Sequence, residues 1–94
     1  MNIFNYKLGE LIINGKKYQL TKIQSKILFI LSNNKLNTYE EIYNYIYQTN
    51  ITDRLNRQMT RSINTHICRL RKKGLKITTK YNYGFKLIDK LCIE

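Results

Sequence analysis

Residues 58–73 read Gln58-Met59-Thr60-Arg61-Ser62-Ile63-Asn64-Thr65-His66-Ile67-Cys68-Arg69-Leu70-Arg71-Lys72-Lys73, and their pattern decides how the rest of the chain is understood. On a helix turning about 100° per residue, Met59, Ile63, Ile67 and Leu70 fall on one narrow stripe. Arg61, Thr65, Cys68 and Lys72 fall on the opposite side, flanked by Arg69 and Arg71. One face is suited to a core, and the other presents cations and short polar groups. A helix of this length reaches across a DNA major groove.

Working outward, the flanks supply the elements against which such a helix can pack. Ile3, Phe4 and Tyr6 begin a short strand, and Leu8, Leu11 and Ile13 belong to a second. Asn14-Gly15 is a hairpin signal, since both residues tolerate positive φ. Lys16 to Leu20 then returns, giving an N-terminal antiparallel sheet over residues 1–20. Thr21 is an N-cap for a first helix over 21–33, whose buried stripe is Ile23, Ile27, Ile30 and Leu31. Phe29 falls on the other side as an exposed aromatic. Thr38-Tyr39-Glu40-Glu41 has capping-box spacing and opens a second helix over 38–47, with Ile42, Tyr45, Ile46 and Tyr47 as its apolar face. Residues 48–57 are polar and aperiodic, a loop too long for a minimal helix-turn-helix. Past Lys73, Gly74 suits a left-handed helix end. A hairpin over 77–88 follows, with Tyr81-Asn82-Tyr83-Gly84 as its turn. The order is βββ-ααα-ββ, an α+β chain without repeats or linkers.

Composition narrows the function classes. A chain of 94 residues makes one small domain, able to bury about 60–65% of its unfolded surface, with little room for an enzyme cleft. There are 17 Lys and Arg against 6 Asp and Glu, a net charge of +11. That balance favours a polyanion, nucleic acid before membrane. The longest apolar run, Ile27 to Leu31, is far too short to span a bilayer, and Met1 to Glu10 has no signal-peptide character. Cys68 and Cys92 form no CxxC pair, and His66 and Cys68 point different ways on a helix, so neither a metal site nor a disulfide framework is expected. Glu40 and Glu41 are adjacent and cannot flank one substrate atom. With a single His and no glycine-rich phosphate loop, no catalytic residues and no cofactor are expected. The expected setting is the cytoplasm, with no membrane partner.

Four motifs in order carry a family resemblance. Leu20-Thr21, Gln24, Ile27-Leu28 and Leu31 form the first, and Thr38, Glu40, Glu41, Ile42 and Tyr47 the second. The third is His66-Ile67-Cys68-Arg69-Leu70-Arg71-Lys72-Lys73, and the fourth is Thr79 with Gly84-Phe85-Lys86. Together the chain resembles the winged-helix effector domain of the OmpR/PhoB family of bacterial response regulators over essentially all its residues. The third and fourth motifs are the specific ones.

The resemblance implies a winged helix-turn-helix on double-stranded DNA, with residues 58–73 in the major groove and the wing on the minor groove. Arg61, Ser62, Asn64, Thr65, Arg69 and Arg71 match positions that contact DNA in that family. Arg69 is the favoured base reader, since a guanidinium bonds guanine O6 and N7 together. Asn64 suits either an adenine or a phosphate. Lys72, Lys73 and Thr79 suit phosphates, and His66 matches a backbone-contacting position or a half-buried helix side chain. The family's wing arginine is Tyr81 here, with Lys80 and Lys86 as partial substitutes, and its wing glycine is Asn82. The resemblance further implies a nucleoid-associated transcription regulator, binding direct repeats as a head-to-tail homodimer. It also implies that the 48–57 loop meets RNA polymerase. The alternative is a winged helix acting as an interaction module for polymerase or another regulator, through that loop and Phe29. No phosphorylatable receiver domain stands in these residues, and the expectation is a stand-alone regulator.

Overall fold

Each helix begins at a polar side chain that satisfies its first free amides. In the computed structural model, which describes residues 2–94, the Thr21 hydroxyl accepts from the Gln24 amide at 3.2 Å while Gln24 Oε1 accepts from the Thr21 amide at 3.1 Å. Thr38 and Glu41 repeat the arrangement at 3.0 and 3.1 Å. Asn56 caps the third helix by accepting from the Met59 amide at 2.9 Å. These caps bound α1 at Lys22–Leu31, α2 at Tyr39–Tyr47 and α3 at Arg57–Lys72. The third helix thus starts and stops one residue before the expected 58–73, with Asn56 as its N-cap and Lys73 as its C-cap.

Seven short strands complete the fold: β1 Ile3–Asn5, β2 Glu10–Ile13, β3 Lys16–Gln19, β4 Asn37–Thr38, β5 Ile77–Lys80, β6 Gly84–Leu87 and β7 Cys92–Ile93. They form two sheets, ordered β3-β2-β1-β7 and β4-β6-β5. The chain is an α+β winged helix, as expected, with β4 and β7 added to the anticipated βββ-ααα-ββ order.

The structure corrects four details of the sequence reading. The N-terminal sheet is not wholly antiparallel, because β7 pairs with β1 in parallel. Leu8 is not a strand residue: it is 60% exposed, in a turn where its amide donates to Asn5 Oδ1 at 3.1 Å. Gly84 is not part of the wing turn but opens β6, paired to both Lys80 and Thr38. Phe29 is exposed but not solitary. Its ring stacks on Tyr6 with centroids 4.5 Å apart and lies 6.2 Å from that of Tyr45, bridging β1's end, α1 and α2.

Phe4, Leu11, Ile27, Leu28, Leu31, Ile42, Ile63, Ile67, Leu70 and Leu87 are buried in a single core shared by helices and both sheets. Tyr39, Tyr43 and Leu55 pack partly against it. Ile46 completes the buried stripe of α2, whereas Tyr47 is exposed. Burying Leu- or Ile-sized side chains contributes about 1.5–3 kcal/mol each, which is what seats α3 with its polar face outward.

Candidate nucleic-acid interface

Ile63, Ile67 and Leu70 hold α3 to the core, with Met59 only half-buried. Arg61, Asn64, Thr65, Cys68, Arg69 and Lys72 consequently line one shallow depression along the opposite face. The Thr65 hydroxyl donates to the Arg61 carbonyl at 3.0 Å, so outward it presents lone pairs and a methyl group. No acid occurs in α3.

The other sequence-predicted residues divide by where their side chains go. Ser62 is half-buried and borders Tyr43, Tyr47 and Met59 at the α2 side. His66 is half-buried too, with Nδ1 enclosed and without a hydrogen-bond partner. Burial, and secondarily the Arg69 charge, holds its imidazole below the ordinary value of 6.5. Lys73 is the C-cap, its Nζ 3.5 Å from the Arg69 carbonyl. Arg71 turns toward the wing. Its Nε donates to the Ile77 carbonyl at 2.9 Å, its Nη2 to the Thr79 hydroxyl at 2.5 Å, and its guanidinium lies 5.8 Å from the Phe85 ring centre.

The wing is the β5–β6 hairpin, paired from Ile77 with Leu87 to Lys80 with Gly84. Asn82 takes φ +56° in its turn, the left-handed conformation a glycine or asparagine accepts most readily. Tyr81, at the tip, is 86% exposed. Lys80 is exposed with its ammonium 5.6 Å from the Tyr83 ring centre. Thr79 is exposed beneath the Arg71 guanidinium.

Between α3 and the wing runs a groove of about 490 Å³, bordered by Tyr39, Glu40, Arg54, Arg57, Asn64, Thr79 and Tyr81. Sequence reasoning did not single out Tyr39, Arg54 or Arg57 for this surface. A signal for Arg57 existed. Cations in the last turn of a helix are stabilised by its dipole, which accounts for Arg69, Arg71 and Lys72 without any ligand. Arg57 stands in the first turn, where the dipole opposes it and the turn itself carries no acid. Glu40, from the first turn of α2, lines the same groove.

Little of this charge is neutralised internally. The single salt bridge among the described residues joins Lys17 to Glu10 at 2.8 Å, which leaves 16 of the 17 Lys and Arg without a carboxylate partner. No group of His, Cys, Asp or Glu among them is arranged to hold a metal ion. No helix among the described residues is long and apolar enough to cross a membrane.

No family model and no curated protein matches the chain. Among solved structures, it is similar to the DNA-binding domain of E. coli CadC, with a TM-score of 0.65 over 88% of this chain and 81% of that one, at 18% sequence identity. The winged helix assembled here from caps, stripe and hairpin is therefore a fold that this chain shares with that domain.

Proposed function

We propose that the chain is a transcription regulator that binds specific sites on double-stranded DNA. The observation that carries this reading is the acid-free outer face of α3, where Arg61, Asn64, Thr65, Arg69 and Lys72 stand exposed above a buried stripe. In this reading α3 enters the major groove and the wing tip follows the adjacent minor groove. Arg69 reads guanine through O6 and N7. Arg61, Lys72, Lys73, Lys80 and Thr79 meet phosphates and set the register, as do Arg54 and Arg57 along the groove. Ser62 and His66 border the contact, and Arg71 acts by holding the wing. Two copies bind direct repeats head to tail, in the cytoplasm on the nucleoid. The description of the CadC domain as DNA-binding supports the reading.

Selection of genomic fragments by the purified protein tests it, followed by gel shifts over a salt series. Enrichment of a repeated site is expected, with log K falling by about 0.9 per phosphate contact for each unit of log salt. No salt-sensitive shift at about 10 μM protein, where non-specific binding ordinarily shows, would overturn it.

A second reading, docking to RNA polymerase or another protein, is favoured by the order in the α2–α3 loop. Asn44 holds that loop through bonds to the Ile51 carbonyl at 2.9 Å, the Ile51 amide at 3.0 Å and the Thr49 hydroxyl at 2.7 Å. A defined loop surface is what a protein partner requires. Both activities can coexist on one domain.

A further inference from the structure

Tyr39 lies in the first turn of α2, away from the outer face of α3, yet its hydroxyl donates to Asn64 Oδ1 at 2.9 Å. We infer that Tyr39 is a specificity-determining residue: by holding the Asn64 amide oxygen toward α2 it breaks up the two-point contact with adenine and favours a base that the amide NH2 alone can satisfy, guanine or thymine. The inference rests on the DNA-binding reading above and adds to it.

The chemistry is that of the amide. An asparagine reads adenine by giving its NH2 to N7 while taking a hydrogen bond from N6 on its oxygen. Both halves of the amide must face the base edge together. Here the oxygen is drawn toward α2, so the outward group is Nδ2. A donor alone can bond both guanine acceptors, N7 and O6, or thymine O4; on adenine it keeps only N7, beside an unmatched N6 donor, and it opposes the cytosine N4 donor.

Tyr39 is held in place beside that oxygen. Its ring meets Phe85 edge-on, with centroids 5.1 Å apart and planes at 69°. Phe85 is itself 1% exposed. The Tyr39 amide donates to the Tyr83 carbonyl at 3.0 Å, pinning the start of α2 to the wing turn. Swinging Asn64 to read adenine would leave the tyrosine hydroxyl without this partner. The exchange trades a direct bond, made by a ring already held in place, for one from water in the open groove.

Binding-site selection with the unmodified protein, Asn64→Ala and Tyr39→Phe tests the inference. Phenylalanine keeps the contact with Phe85, and thermal melting confirms that the variant is folded. Relative to Asn64→Ala, the unmodified protein should prefer guanine or thymine at one position of its site. Tyr39→Phe should move that position toward adenine by about tenfold and leave the others unchanged. An unchanged profile in folded Tyr39→Phe overturns the inference. So does an adenine preference in the unmodified protein that Asn64→Ala abolishes, a comparison independent of how Tyr39→Phe folds. An even loss across all sequences in Asn64→Ala, the mark of a phosphate contact, overturns it as well. In each of these cases DNA binding itself stands; absence of any binding by the unmodified protein overturns both readings.

Discussion

Arg71, in the last turn of α3, donates a 2.5 Å hydrogen bond to the hydroxyl of Thr79 in the first wing strand. With the bond to the Ile77 carbonyl, one guanidinium fastens the helix to the hairpin that follows it. The wing angle is thereby set before any ligand arrives. Replacing Arg71 by Met keeps the stem and removes the donors. A loss of about 1–2 kcal/mol is expected, which thermal melting should read as a fall of roughly 4–8 °C per kcal/mol. DNA affinity should drop with the salt slope unchanged. A slope reduced by about one would instead identify Arg71 as a phosphate ligand.

Arg69 and Lys72 share the outer face of α3 but are predicted to act differently. Arg69→Ala should weaken the selected site by about 1–3 kcal/mol and relax one base position. Lys72→Ala should weaken all sequences alike and lower the salt slope by about one. Footprinting on specific and bulk DNA separates the two. Equal losses on both DNAs for Arg69→Ala would remove its base-reading role.

Gly84 is where the wing strand passes closest to the start of α2. A β-carbon there would lie 1.8 Å from the Asn37 carbonyl oxygen, a contact only a backbone shift relieves. Gly84→Ala should therefore destabilise the fold by roughly 4 kcal/mol or more, the exceptional range for one substitution. Gly15 has φ +82° and open space around it, so Gly15→Ala should cost only about 1–2 kcal/mol, the left-handed strain alone. Denaturant melts of the two variants check the order.

His66 titrates below its ordinary value of 6.5 because burial disfavours the charged ring and Arg69 opposes it. Between the lowered folded value and 6.5 the unfolded chain binds more protons than the folded one, so stability rises with pH there. The contribution is full above about pH 6.5 and is lost as pH falls through the folded value. Melting at pH 5 and pH 7 should show a smaller acid loss for His66→Gln than for the unmodified protein. Equal losses would mean that the enclosed Nδ1 is not what couples the fold to protons.

The sequence made α3 legible because one helix carries its whole signal: a stripe at Ile63, Ile67 and Leu70 and cations on the far side. The Thr21 and Thr38 caps were equally local. What escaped were relationships spanning the fold. Strands β4 and β7 have two residues each, too few for a period, and both exist through partners elsewhere in the chain. Phe29 could be placed among rings only by knowing that Tyr6 and Tyr45 meet it. Arg71 sits two residues from Arg69 and looks alike in one dimension, yet Ile77 and Thr79, across the Gly74 turn, draw its guanidinium away. Tyr39 was visible as part of a capping motif, while its bond to a residue 25 positions onward was not.

The parallel pairing of β7 with β1 has a bearing on association. Cys92 donates its amide to the Asn2 carbonyl and Glu94 its amide to the Phe4 carbonyl, both at 2.9 Å. Two residues at the rim thus shield the backbone of a strand that carries the fully enclosed Phe4 ring. A rim so short offers little template for another chain, whereas a bare β1 would present an open hydrogen-bonding ladder beside the core. Cys92 and Ile93 thus close one edge of the sheet, and losing them would open β1 to pairing with another chain.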